Sequence, residues 1–225
     1  PIIDSYEGRA VGVKACAEGL DLDDLEKKIV AYKPKLLYVV PTFSNPTGRT
    51  YTEENRKAIA KLTAKYGVIV LEDDPYGKLR FSGKAVPSLK SFDADNNVVY
   101  ISSFSKIISP GLRVGVAVGD KAILRKMAIG KQGTDLHTSN LAQKIVEKYL
   151  EKGYLTPNVE KSLPLYLRRK TAMIDAIEKY MPAEFRHTDP DGGLIIWGEL
   201  PAGVDTVKLL PAALECNVAY IQGQV

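Results

Sequence analysis

The sequence predicts an α/β protein: a mainly parallel sheet flanked by helices, followed by the start of a smaller α+β unit. Three observations carry this reading. Short apolar runs recur through the first half, KLLYVV at 35–40, VIVL at 68–71, NVVYI at 97–101 and a fourth at 114–118. Segments of helical period lie between them, and beyond Pro182 the texture changes to short stretches and turns. Runs that are apolar at every position suit strands covered on both faces, the environment of a parallel sheet in a strand–helix alternation.

The elements follow in order. Residues 20–31 place Leu22, Leu25 and Ile29 among charges, an amphipathic helix with Asp21 as N-cap. KLLYVV is the first strand, and 41–49 is a turn-rich loop. A helix is expected over 53–66, capped by Thr50 or Thr52 and stopped by Gly67. VIVL then ends in the polar cluster Glu72, Asp73, Asp74. NVVYI runs into Ser102, Ser103, Phe104, Ser105 and Lys106, and Arg113 leads directly into the fourth strand. Helices are expected at 123–128, 141–150 and 163–180, the last with Pro164 near its start, and short strands after it, including 193–197. A domain change is placed within 160–180. In open sheets of this kind ligands sit beyond the carboxyl ends of the strands, where the polar clusters fall.

Composition excludes several functions. The chain of 225 residues is 45% hydrophobic and 26% charged with net charge +4, an ordinary globular balance. Its basic residues form no dense block, so no nucleic-acid contact is expected through this segment. No apolar run approaches the ~20 residues that span a bilayer. Cys16 and Cys216 lie in different halves without paired spacing, which argues against a disulfide framework or zinc site and for a reducing cytoplasm; both are expected to be buried packing residues. No cluster has metal-ligand spacing. The chain begins at Pro1 with no initiator Met and reads as the central piece of a longer protein.

Three groups carry chemistry. In the stretch from Ser103 to Gly115, a lysine follows a strand among hydroxyls, and a Pro-Gly turn leads to an arginine. Hydroxyls with a guanidinium make an anion site, and a lysine beside it can be desolvated into a nucleophile for a carbonyl. Asp73 and Tyr76, three residues apart at a turn, can face one planar heterocycle, the carboxylate on a ring nitrogen and the phenol on a ring oxygen. Asn45-Pro46-Thr47-Gly48 is a turn at the same sheet edge whose amide can donate to that oxygen. His137, beside Thr138 and Ser139, is read as part of a helix-start hydrogen-bond network, His187 as exposed, and Trp197 as small-domain core.

Taken in order, Asn-Pro-Thr-Gly, Asp-x-x-Tyr and Ser-x-Ser-Lys-x-x-x-Pro-Gly-x-Arg-x-Gly resemble the fold-type I pyridoxal 5′-phosphate enzymes, class I/II aminotransferases. The stretches 72–76 with 79–81, 131–138 and Gly192-Gly193 with Trp197 are similar to the 2-aminoadipate/kynurenine branch, to which the effector domains of GntR/MocR-type regulators are related. The resemblance implies that Lys106 holds the cofactor as a Schiff base and moves the substrate Cα proton. It implies that Asp73 keeps the ring nitrogen protonated, that Asn45 and Tyr76 bind the ring oxygen, and that Ser103, Ser105 and Arg113 hold the phosphate. It further implies amino-acid and 2-oxo-acid substrates, a homodimer, and a chain made of a partial large domain (1–160) and a connecting helix with a partial small domain (161–225). A regulator's sensor domain and a lyase are the alternatives it leaves. The phosphate-cup helix, the ring-stacking aromatic and the carboxylate-binding arginine of relatives have no counterpart here, so the chain alone is expected to bind the cofactor weakly or not at all and to turn over poorly.

Overall fold

A computed structural model describes residues 2–223. Helix α1 (Ile2–Ser5) is followed by α2 (Leu22–Tyr32), β1 (Leu36–Val39), α3 (Glu53–Tyr66), β2 (Ile69–Asp73), β3 (Val98–Ser103) and β4 (Gly115–Val118). The four strands form one sheet in the order β1-β2-β3-β4; β1, β2 and β3 are parallel and β4 runs antiparallel to β3. Then come α4 (Lys121–Thr134), α5 (Asn140–Glu151), α6 (Leu155–Tyr180), the two-residue strands β5 (Arg186–His187) and β6 (Gly198–Glu199), and α7 (Thr206–Glu215).

Local chemistry sets the helix ends. Asp21 accepts from Asp24 N and Thr52 from Asn55 N, each satisfying an orphan first-turn donor. Gly67 closes α3 at φ 65°, the left-handed cap that glycine adopts without steric cost. The buried faces of α2 and α3 (Leu25, Ile29, Ile59, Ala60) pack with Val39, Val70 and Val98 from the sheet and Leu20, Val68 and Leu89 beside it. A second core lies toward the strands' carboxyl ends, where Phe43, Tyr76, Leu79 and Ile107 meet Val159 and Leu163 of α6. The first core thus packs α2 and α3 on the sheet, and the second holds the loops beyond the strand ends against α6.

Several expectations are corrected. β1 and β4 are the two edge strands, so Leu36, Tyr38, Val116 and Val118 are exposed rather than covered. An apolar run does not distinguish an edge from the middle of a sheet. The last long helix starts at Leu155, and Pro164 lies inside it, because the turns on either side continue past the one missing N–H. Residues 193–197 are not a strand; the ladder forms just after them, and α7 was not anticipated. Cys16 is half-buried and Cys216 exposed, so neither is a core packing residue. His187 is half-buried beside Phe185, not exposed. Among the described residues no helix is long and apolar enough to cross a membrane.

Candidate functional site

Because β1, β2 and β3 are parallel, their carboxyl ends share one edge, and β4, being antiparallel, begins there. That topology gathers Asn45, Asp73, the segment 103–106 and Arg113. The register is direct: Asp73 pairs with Ile101, and Ser103 with Gly115. A Cβ on Gly115 would stand 2.9 Å from Ser102 O, so the pairing beside the site needs glycine.

Beyond β3 the chain makes a tight 3₁₀ turn at Phe104–Lys106. Ser103 Oγ accepts from Ser105 N at 3.1 Å, and Phe104 O accepts from the amides of 107, 108 and 109. Asn158 of α6 donates to Ile107 O at 2.9 Å, tying the turn to the long helix. Lys106, at the end of this turn, is exposed, and its ammonium makes no hydrogen bond or ion pair among the described residues. Arg113 sits at φ 54°, a left-handed conformation that side chains other than glycine rarely adopt and that clusters at functional sites. Its Nη1 approaches Ser105 Oγ at 3.4 Å and Pro110 O at 3.3 Å. Of the three phosphate candidates, Ser105 and Arg113 are adjacent, and Ser103 Oγ accepts within the turn while its own hydroxyl proton makes no hydrogen bond among the described residues.

The Asn45 loop is held by Gly48 N, which donates to Ser44 O at 2.6 Å, and Ser44 N, which donates to Arg49 O at 2.8 Å. The Asn45–Pro46 peptide is cis. The exposed Asn45 amide hydrogen-bonds the Tyr76 hydroxyl. The Tyr76 ring is buried at 8% exposure in the second core. Burial lifts the Tyr76 phenol above its ordinary range; the Asn45 bond opposes this and the Asp73 charge adds to it. Asp73, at the last position of β2, receives a 2.7 Å hydrogen bond from Tyr38 Oη at its Oδ2. Neither Asp73, Lys106 nor Arg113 belongs to an ion pair among the described residues.

Most of the supporting contacts were not visible in the sequence. Arg56, 1% exposed, donates to Pro41 O, Tyr51 O, Pro87 O and Thr42 Oγ1, fastening the start of the Asn45 loop to α3. Glu72 is buried and accepts the amides of Leu89 and Lys90; burial raises its pKa. Asp74 accepts from Gly77 N and Tyr100 Oη, and Ser102 Oγ donates to Asp74 O. Gly192 allows a close approach: a Cβ there would fall 2.4 Å from Leu79 O and 2.2 Å from Phe43. His137 Nδ1 lies 3.1 Å from Thr138 O while Ser139 caps α5, in keeping with a helix-start network. Trp197 is half-buried, its indole N–H donating to Glu199.

Comparison with known proteins gives a consistent picture. The family model described as aminotransferase class I and II matches residues 3–223. A curated relative, the aromatic-amino-acid aminotransferase 1 of Thermococcus litoralis, is 39% identical over 97% of this chain and 54% of its own length. The 2-aminoadipate transaminase of Thermus thermophilus is 39% identical over 96% and 55%. The crystal structure of Pyrococcus horikoshii kynurenine aminotransferase, with PMP and kynurenine as substrates, superposes with a TM-score of 0.94 at 40% identity, covering 98% of this chain and 56% of that one. The chain spans about half the length of the curated relatives it matches.

Proposed function

From the premise that this chain belongs to the class I and II aminotransferase family, we propose that it is the cofactor-seating part of a pyridoxal 5′-phosphate-dependent aminotransferase. The observation that carries the reading is the set of unpaired charges at one sheet edge. Among the described residues Asp73 has no cation, Lys106 no anion and Arg113 no carboxylate, and the neutral donors Asn45 and Tyr76 lie beside them. Such a set complements a protonated pyridine nitrogen, an aldehyde, a phosphate and a ring hydroxyl. The residues present therefore fit the cofactor.

When bound, the cofactor supplies a ring that accepts the electrons of a substrate Cα–H bond. The protein's part is orientation and proton movement. Asp73 holds the proton on the ring nitrogen. Asn45 and Tyr76 hydrogen-bond the ring oxygen. Ser103, Ser105 and Arg113 would bind the phosphate, and the planar guanidinium suits that anion. Lys106 Nζ would hold the cofactor, and its amine would carry the proton from substrate Cα to the cofactor carbon that bears the nitrogen. The reaction class is amino-group exchange between an amino acid and a 2-oxo acid. The sensor-domain alternative is the weaker one, since the relatives of 39% identity carry enzyme names.

The same reading takes residues 1–160 as part of the large domain and 161–225 as the connecting helix with part of the small one; α6, at 26 residues, supports that division. It also takes the intact protein as a cytoplasmic homodimer. Exposed Leu136, Leu141 and Ile129 on and around α4 and α5 supply apolar surface for a partner to cover, and the two cysteines are free thiols.

The test is a transamination screen of the intact protein with 2-oxoglutarate as acceptor and 2-aminoadipate, kynurenine, aromatic and branched amino acids as donors. Glutamate is expected with at least one donor, and its rate is expected to fall by about 10²–10⁴-fold in Lys106→Ala. Absence of any 2-oxoglutarate-dependent product would sink the proposal.

A further inference from the structure

We propose that Tyr38, on the edge strand β1, is a positioning residue for Asp73: its hydroxyl fixes one carboxylate oxygen and leaves the other for the cofactor's ring nitrogen. This rests on the reading of Asp73 given above. Tyr38 pairs in register with Leu71 on the neighbouring parallel strand. Leu71 and Asp73 are two residues apart and share a sheet face. A side chain leaning along the strand from position 38 therefore reaches the carboxylate of position 73, and Tyr38 Oη donates to Asp73 Oδ2 at 2.7 Å. Asp73 Oδ1 has no hydrogen bond among the described residues.

The bond does not serve the core. Tyr38 is 56% exposed and belongs to neither hydrophobic cluster, so its hydroxyl is not required to bury the ring. The donor is also permanent. Burial first, then the hydrogen bond and charge of Asp73, with a smaller effect of Tyr76, push the Tyr38 phenol well above its ordinary range. It stays protonated throughout the neutral range, where Asp73 can accept from it. A neutral donor orders the carboxylate without neutralising it, whereas a lysine or arginine in that place would compete with a ring cation. The remaining oxygen is then held in one orientation, the requirement for a group that must meet a planar ring edge-on.

The experiment compares wild type, Tyr38→Phe, Asp73→Asn and the double variant of the intact protein, with Lys106→Ala as control. It reads the dissociation constant for pyridoxal 5′-phosphate and the induced circular dichroism of the bound cofactor. Tyr38→Phe is expected to weaken binding about five- to twentyfold and to reduce the induced signal, with the melting temperature of the cofactor-free form unchanged. In the Asp73→Asn background the same change is expected to have no further effect. In cofactor-free protein, Asp73→Asn is expected to lower the titration midpoint of the tyrosine whose ¹³C signal is lost in Tyr38→Phe. Unchanged binding and dichroism in Tyr38→Phe, or an undiminished effect in the Asp73→Asn background, overturns the inference while leaving the cofactor reading standing. A wild type with no Lys106-dependent cofactor band overturns both.

Discussion

Two neighbouring carboxylates at the end of β2 have different tasks. Asp73 bonds outward to Tyr38 on the edge strand, and Asp74 bonds to Tyr100 and to Gly77 N, closing the turn that carries Tyr76. The sequence marks both as acids at a strand end, and the family spacing to Tyr76 singles out Asp73. Neither tyrosine partner was legible, because in a strand each reads as one more apolar residue. Burial, the largest cause, raises the Asp74 pKa despite its two hydrogen bonds. A carboxyl whose folded pKa is raised favours folding most when protonated, so its contribution is present below its unfolded pKa and is lost as pH rises through the folded value. Asp74→Asn should therefore gain stability relative to wild type as pH rises from about 4 into the neutral range. Urea midpoints at several pH values check this, and a difference that is flat or of opposite slope contradicts it.

At the scale of elements, the site depends on how α3 meets the loop after β1. Arg56 crosses from α3 to three loop carbonyls, so the start of the Asn45 turn moves with the helix. The helix in turn depends on its Thr52 cap. Thr52→Ala should cost about 1 kcal/mol, a fall in melting temperature of roughly 2–4 °C for a domain of this size, read by thermal denaturation. No change would mean that packing alone sets the start of α3. The caps at Asp21, Thr52 and Gly67 were legible because capping chemistry is local. The exposure of β1 and β4 was not, because it is set by which strand lies next to them. Pro164 misled for a related reason: proline favours a helix start, but long flanking turns carried a helix through it.

For the molecule as a whole, three parallel strands and one antiparallel strand bring four separate sequence segments to one edge, and one hydrophobic core lies within the helix-covered sheet while a second holds the loops at that edge. The spacing of Asn45, Asp73, Tyr76, Lys106 and Arg113 was readable from the chain because strand ends mark the edge and polar residues there have little packing purpose. What lies behind them, Arg56, Glu72 and Asn158, was not, since long-range hydrogen bonds leave no periodic signal. The central claim is that Lys106 is the cofactor lysine. The direct test is to equilibrate the intact protein with pyridoxal 5′-phosphate, reduce with borohydride so that a reversible lysine–aldehyde linkage becomes a stable amine, and locate the tag by peptide mass spectrometry. One dominant tag is expected, on Lys106, and it is lost in Lys106→Ala. A dominant tag on another lysine, or none, would contradict it.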